Sequence, residues 1–128
     1  RDAGLIFSML IAPTTPIERA REIAGACSGF IYLLSRSGLT GEQTTLPTGL
    51  GDQIRNIRQV TDLPIAVGFG ISTAAQVNQV LSMADAAIVG SAIVRRIDAH
   101  RGEEASRIAQ EAGQFVAELA GGLPRGNR

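Results

Sequence analysis

The 128 residues carry twelve basic and twelve acidic side chains, so the formal charge is zero. No basic stripe of the kind a nucleic-acid surface needs is present. The hydrophobic content of 45% supports a packed core rather than disorder, and the longest apolar run, residues 5–12, is far shorter than the roughly 20 residues of a membrane-spanning helix.

All twelve basic residues are arginine. Without a lysine the chain cannot form a Schiff base, attach pyridoxal phosphate or supply a P-loop lysine. The single cysteine, Cys27, excludes an internal disulfide and a thiolate metal cluster; it falls on the apolar face of a predicted helix, and no metal site is expected. The length fits one domain. No basic segment followed by a cleavage-like site precedes the first apolar run, so a cytoplasmic protein is expected. The chain opens on Arg1 rather than methionine, and a natural start is expected to lie outside it.

Four strand-then-helix units follow one another. The first strand is predicted over residues 5–12 and ended by Pro13. Thr15-Pro16-Ile17-Glu18 then reads as a capping box with proline at the first helical position. Ile17, Ala20, Ala24 and Cys27 recur at helical spacing as one buried face. Phe30-Ile31-Tyr32-Leu33-Leu34 forms the second strand, followed by a polar, glycine-containing connection over residues 35–48. A connection of that length is usually functional. The next helix buries Leu50, Ile54, Ile57 and Val60.

Residues 64–67 make a short, continuously apolar third strand, as parallel strands tend to be. Thr73 with Gln76 caps a helix whose inner face carries Val77, Val80 and Leu81. The fourth strand, Ala86-Ala87-Ile88-Val89, ends at Gly90. A short helix over residues 91–97 and a polar break at 100–102 follow. The last helix has the cleanest periodicity: Ala105, Ile108, Ala109, Ala112, Phe115, Val116 and Leu119. Residues 1–120 are expected to form the folded unit, and residues 121–128 a flexible tail.

Strict alternation of strand and helix gives an α/β protein with a parallel sheet. An open doubly wound sheet and part of a closed barrel both fit this pattern. The extra short helix after the fourth strand favours the closing end of a (β/α)8 TIM barrel, of which four βα units are about half. In either fold the site lies at the carboxyl ends of the strands.

At those ends stand Gly68-Phe69-Gly70-Ile71-Ser72 and Gly90-Ser91. Each places small residues where a strand stops and a helix begins, where free N–H groups and the helix dipole favour a phosphate. The first segment superficially resembles a dinucleotide fingerprint, but it lacks the third glycine and a later ribose-binding acid. Replacing Gly70 or Gly90 with a bulky residue is expected to weaken phosphate binding and leave the fold intact. No Asp, Glu or His occupies a strand end; Glu42 alone lies in a site-facing loop, and His100 reads as a surface residue. A general acid and base are therefore not both present. Tyr32 fits core packing and a place in the site equally well.

These segments, in order, resemble the C-terminal half of the tryptophan synthase alpha chain family. The likeness is carried by Leu10-Ile11-Ala12-Pro13-Thr14-Thr15-Pro16 and by Gly29 to Gly41, which includes Tyr32-Leu33-Leu34-Ser35-Arg36-Ser37-Gly38-Leu39-Thr40. It continues through residues 62–72 and 89–94. The resemblance implies strands five to eight of that barrel, and a lyase of tryptophan biosynthesis cleaving indole-3-glycerol phosphate to indole and glyceraldehyde 3-phosphate. It implies that Gly41, Gly70, Gly90 and Ser91 hold the substrate phosphate, that Phe69 packs near the indole, and that Tyr32 lies beside the substrate. Thr40, in a mobile loop, would close over the site and contact a catalytic aspartate. That aspartate and the general-acid glutamate belong to the half that is absent, so no catalytic residue is expected here and the chain alone is expected to be inactive. The implied partner is the tryptophan synthase beta chain, which carries the pyridoxal phosphate; no cofactor is expected on this chain. A non-catalytic phosphate-binding half-barrel that self-associates is the alternative, as is another phosphosugar barrel enzyme.

Overall fold

The structure is a computed structural model that describes residues 4–34 and 46–123. Its elements are β1 (Leu10–Ile11), α1 (Ile17–Ala26), β2 (Ile31–Leu34), α2 (Leu50–Arg58), β3 (Ile65–Gly68), α3 (Ala74–Leu81), β4 (Ala86–Ala87), α4 (Ser91–Ala99) and α5 (Ala105–Ala120). The four strands form one sheet in sequence order, and every neighbouring pair is parallel. This is the βα arc expected for half of a (β/α)8 barrel.

Strand parity divides the sheet. Ile11, Ile31, Leu33, Ile65 and Val67 are fully buried and form one cluster with Ala20 and Ala24 of α1, Leu50, Ile54 and Ile57 of α2, and Val77 and Val80 of α3. On the other parity, Leu10, Tyr32, Ala66 and Ala86 stand in register across all four strands. Leu10 and Ala86, at the two ends of that row, are exposed.

Several boundaries differ from those read in the sequence. Of residues 5–12 only Leu10 and Ile11 pair as a strand, and Leu5, Ile6 and Phe7 are largely exposed. Beside residues 28–30 the serine side chains take over the pairing. Phe7 N–H donates to Ser28 Oγ at 3.0 Å, and Phe30 N–H donates to Ser8 Oγ at 3.1 Å. Hydroxyls that bond the backbone in this way displace the regular ladder.

At α1 the expected capping box is not made. Pro16 is the N-cap itself, so Thr15 lies one residue too early, and its Oγ1 accepts from Ala12 N–H at 3.1 Å. Glu18 instead pairs with Arg21 at 2.6 Å. The α3 box forms as expected.

The stripe on α5 is regular, but only Leu119 is buried, because the helix packs on α4 and α3 and its remaining faces meet solvent. Residues 121–123, placed by the sequence in a flexible tail, are held in position. Gly122 is buried, its carbonyl accepts from Asn78 Nδ2 at 3.3 Å, and Ala74 lies too close to leave room for a side chain. Among the described residues no helix is long and apolar enough to cross a membrane.

Candidate phosphate site at the strand ends

The carboxyl ends of β3 and β4 are adjacent because the strands pair in parallel, Ala66 with Ala86 and Val67 with Ala87. They bring Gly68-Phe69-Gly70 and Gly90-Ser91 to the same rim of the sheet. Gly70 has a φ of +88°, in the left-handed region where a Cβ is strained. A substitution there disturbs the backbone as well as any ligand, which removes Gly70 as a clean test of binding. Gly90 is different: its φ is −122°, and a Cβ built on it meets nothing within 4 Å. Packing therefore does not demand a glycine at that position.

The two helix starts are not equivalent donors. At α3, Gln76 Oε1 accepts from Ser72 N–H at 2.8 Å and from Thr73 N–H at 3.2 Å, and Thr73 Oγ1 accepts from Gln76 N–H at 3.2 Å. Those amides are therefore satisfied within the protein. At α4 no side chain caps the start, and Gly90 C=O accepts from Ile93 and Val94 N–H at 2.9 and 3.1 Å. Among the described residues, the Ser91 and Ala92 amides have no protein acceptor. The sequence reading gave both junctions free donors; at α3 the Ser72, Thr73 and Gln76 amides are taken up by the cap, whereas the start of α4 has no side-chain cap.

Tyr32 is half-buried on the sheet face it shares with Leu10, Ala66 and Ala86, and its ring lies over Gly68. A Cβ on Gly68 would meet Tyr32 Oη at 2.8 Å and Cε2 at 2.9 Å. The glycine after the apolar run of β3 thus makes room for the tyrosine, a relation that only the register reveals. Phe69 is buried within the main cluster. Thr40, Gly41 and Glu42 lie outside the described residues.

The carboxylates serve elsewhere. Asp85, at the opposite rim, accepts from Ile65 N–H at 2.7 Å and from Arg58 at 2.6 Å. The Ile65 amide does most to hold its carboxyl below the usual aspartate value; burial opposes it, and the hydrogen bond and charge of Arg58 add to the lowering. His100, read as a surface residue, is instead largely covered at the end of α4. Its Nδ1 lies 2.9 Å from Glu103 Oε1 and its Nε2 lies 3.7 Å from Glu111 Oε2, while Arg107 holds the other Glu111 oxygen at 2.8 Å. Among the described residues no group of three or more His, Cys, Asp or Glu side chains is placed to hold a metal ion.

A parallel βα arc with an uncapped helix start at its carboxyl rim defines a portion of a (β/α)8 barrel protein. Comparison with known proteins names the barrel. The family model for the tryptophan synthase alpha chain matches residues 1–121, and the chain belongs to that family. It is 46% identical over 117 residues to the tryptophan synthase alpha chain of Synechococcus sp. (strain CC9902), covering 91% of this chain and 42% of that one. The alpha chain of Rhodopirellula baltica is 43% identical over 126 residues, 93% of this chain and 45% of its own length. Among solved structures, Mycobacterium tuberculosis tryptophan synthase superposes with a TM-score of 0.80 at 29% identity, covering 98% of this chain and 44% of that one. A mutant alpha subunit from Pyrococcus furiosus gives 0.77 at 33% identity, over 94% and 46%. The chain spans less than half the length of these relatives.

Proposed function

We propose that this chain is the phosphate-binding half of a tryptophan synthase alpha subunit, a lyase that cleaves indole-3-glycerol phosphate to indole and glyceraldehyde 3-phosphate. The observation that carries the reading is the start of α4, where the Ser91 and Ala92 amides are unspent and Gly90 leaves open space in front of them. An anion there gains from the helix dipole, about 0.3–1 kcal/mol and up to about 2 when partly buried. Several donors must therefore converge, and Gly70 and Gly41 are assigned to complete the cradle. Tyr32 and Phe69 would flank the indole, and Thr40 would close over it.

The described residues bring no acid–base pair to this rim, so the general acid and base of the cleavage are assigned to strands outside this chain. The partner is then a beta chain carrying pyridoxal phosphate; the absence of lysine from this chain agrees with the cofactor lying there.

The test is titration of the 128-residue chain with inorganic phosphate and glycerol 3-phosphate, read by amide chemical shifts. Ser91 and Ala92 are expected to move, and Gly90→Val to weaken binding at least about tenfold, equivalent to about 1.4 kcal/mol, with the fold retained. Unchanged affinity in Gly90→Val removes the site from α4. Release of indole from indole-3-glycerol phosphate by this chain alone would overturn the placing of the acid and base outside it.

A further inference from the structure

We propose that the space between α1 and α2, beside β1 and β2, is a binding site for a small neutral ring compound that carries one N–H or O–H donor. A cavity of about 120 Å³ lies there. Ile11 and Leu33 reach it from the strands and Ile57 from α2, and all three belong to the buried cluster. Gln53, one turn before Ile57 on α2, lines the same cavity, and its Oε1 is buried without a hydrogen-bond partner. A buried acceptor left without a donor is costly. A ligand that brings the donor removes that cost.

Size and charge narrow the class. An apolar cavity of about 150 Å³ takes up benzene, so the space here is on the scale of a single six-membered ring. Among the described residues that line it, none is charged, which selects a neutral ligand over an ion. A lone water also supplies a donor, but a buried water ordinarily keeps about three hydrogen bonds, and the aliphatic side chains of Ile11, Leu33 and Ile57 offer none. The site is not a sheet edge awaiting another strand. β1 and β2 are paired with each other and α1 packs on α2, so the walls are neighbours within the chain. Ile17 and Asn56, which also line the cavity, are exposed and place its entrance between the two helices. It shares no residue with the start of α4, and it stands or falls separately from the phosphate reading.

Phenol and toluene share a shape and differ in the donor, and both are titrated into the 128-residue chain with the methyl resonances of Ile11, Leu33 and Ile57 as the readout. Phenol is expected to shift these resonances saturably. Gln53→Leu, which removes the acceptor, is expected to weaken phenol about three- to tenfold and to leave toluene no weaker. Gln53→Met makes the same comparison if Gln53→Leu does not fold. Ala12→Leu, which fills the space from the β1 side, is expected to abolish phenol binding. No saturable shift with phenol, a loss in the Gln53 variant that is no greater for phenol than for toluene, or phenol binding that survives in folded Ala12→Leu overturns the proposal.

Discussion

Gly68 and Tyr32 show how one missing side chain positions another. With Cβ contacts of 2.8 and 2.9 Å awaiting it, alanine at position 68 must push the tyrosine ring off the strand. Overpacking of this kind costs about 1–3 kcal/mol. Gly68→Ala is therefore expected to lower the unfolding free energy measured in urea by that amount and to shift the Tyr32 ring resonances; an unchanged free energy would deny the contact. Asp85 offers a second test. Its carboxyl is held below the aspartate value by the Ile65 amide and Arg58, so its contribution to stability is complete above the unfolded value near 3.9 and is lost as pH falls through the lower, folded value. In Asp85→Asn the amide oxygen still accepts from Ile65, while the charge facing Arg58 is gone. The stability of the variant is expected to vary less with pH through that acid window than that of the parent, as measured by urea unfolding at stepped pH. At this scale the glycines at the strand ends were legible from their spacing. The inequality of the two helix starts was not, because it depends on Gln76 turning back to Ser72 and Thr73 rather than on any property of the glycines.

The same contrast returns for whole elements. Thr73 and Gln76 close a reciprocal box at α3, whereas Thr15 and Glu18, at the same sequence spacing, close none, because helix α1 begins one residue later, after Pro16. A motif in sequence fixes a cap only when the turn before it sets the phase. Thr73→Ala is accordingly expected to cost about 0.5–2 kcal/mol, and Glu18→Ala, which loses an exposed pair with Arg21, about 0–1 kcal/mol. Thermal unfolding of the two variants side by side checks the order, and equal losses would contradict it. The order of strands and helices was readable throughout, since alternating apolar runs and helical stripes are local signals. The lengths of β1 and β4 were not: an edge strand extends only as far as its single neighbour pairs with it, and before β1 the Phe7 N–H donates to the Ser28 hydroxyl, the Ser8 hydroxyl accepts from Phe30 N–H, and the Phe7 carbonyl accepts from the Ser28 and Gly29 N–H groups.

Across the molecule, stability rests on one cluster on the helix side of the sheet, with Leu33 near its middle and fully buried. Leu33→Ala is expected to cost about 2–5 kcal/mol, and a smaller loss in denaturant titration would mean that the sheet relaxes around the gap. Among the described residues the opposite face of the sheet has no such cluster, a fact the sequence conveyed only indirectly, through βα units that number half a barrel. The end of the chain adds one long-range tie. Gly122 rests on Ala74 and accepts from Asn78, 44 positions earlier. Read as a sequence of events, that contact sets an order of assembly. Closing so wide a loop is unfavourable until both ends have formed, so α3 has to be in place before the last turn can settle. Pulse-labelling hydrogen exchange is expected to protect Asn78 and its neighbours first and Gly122 last, which makes the final described residues a timer for the completion of the third βα unit.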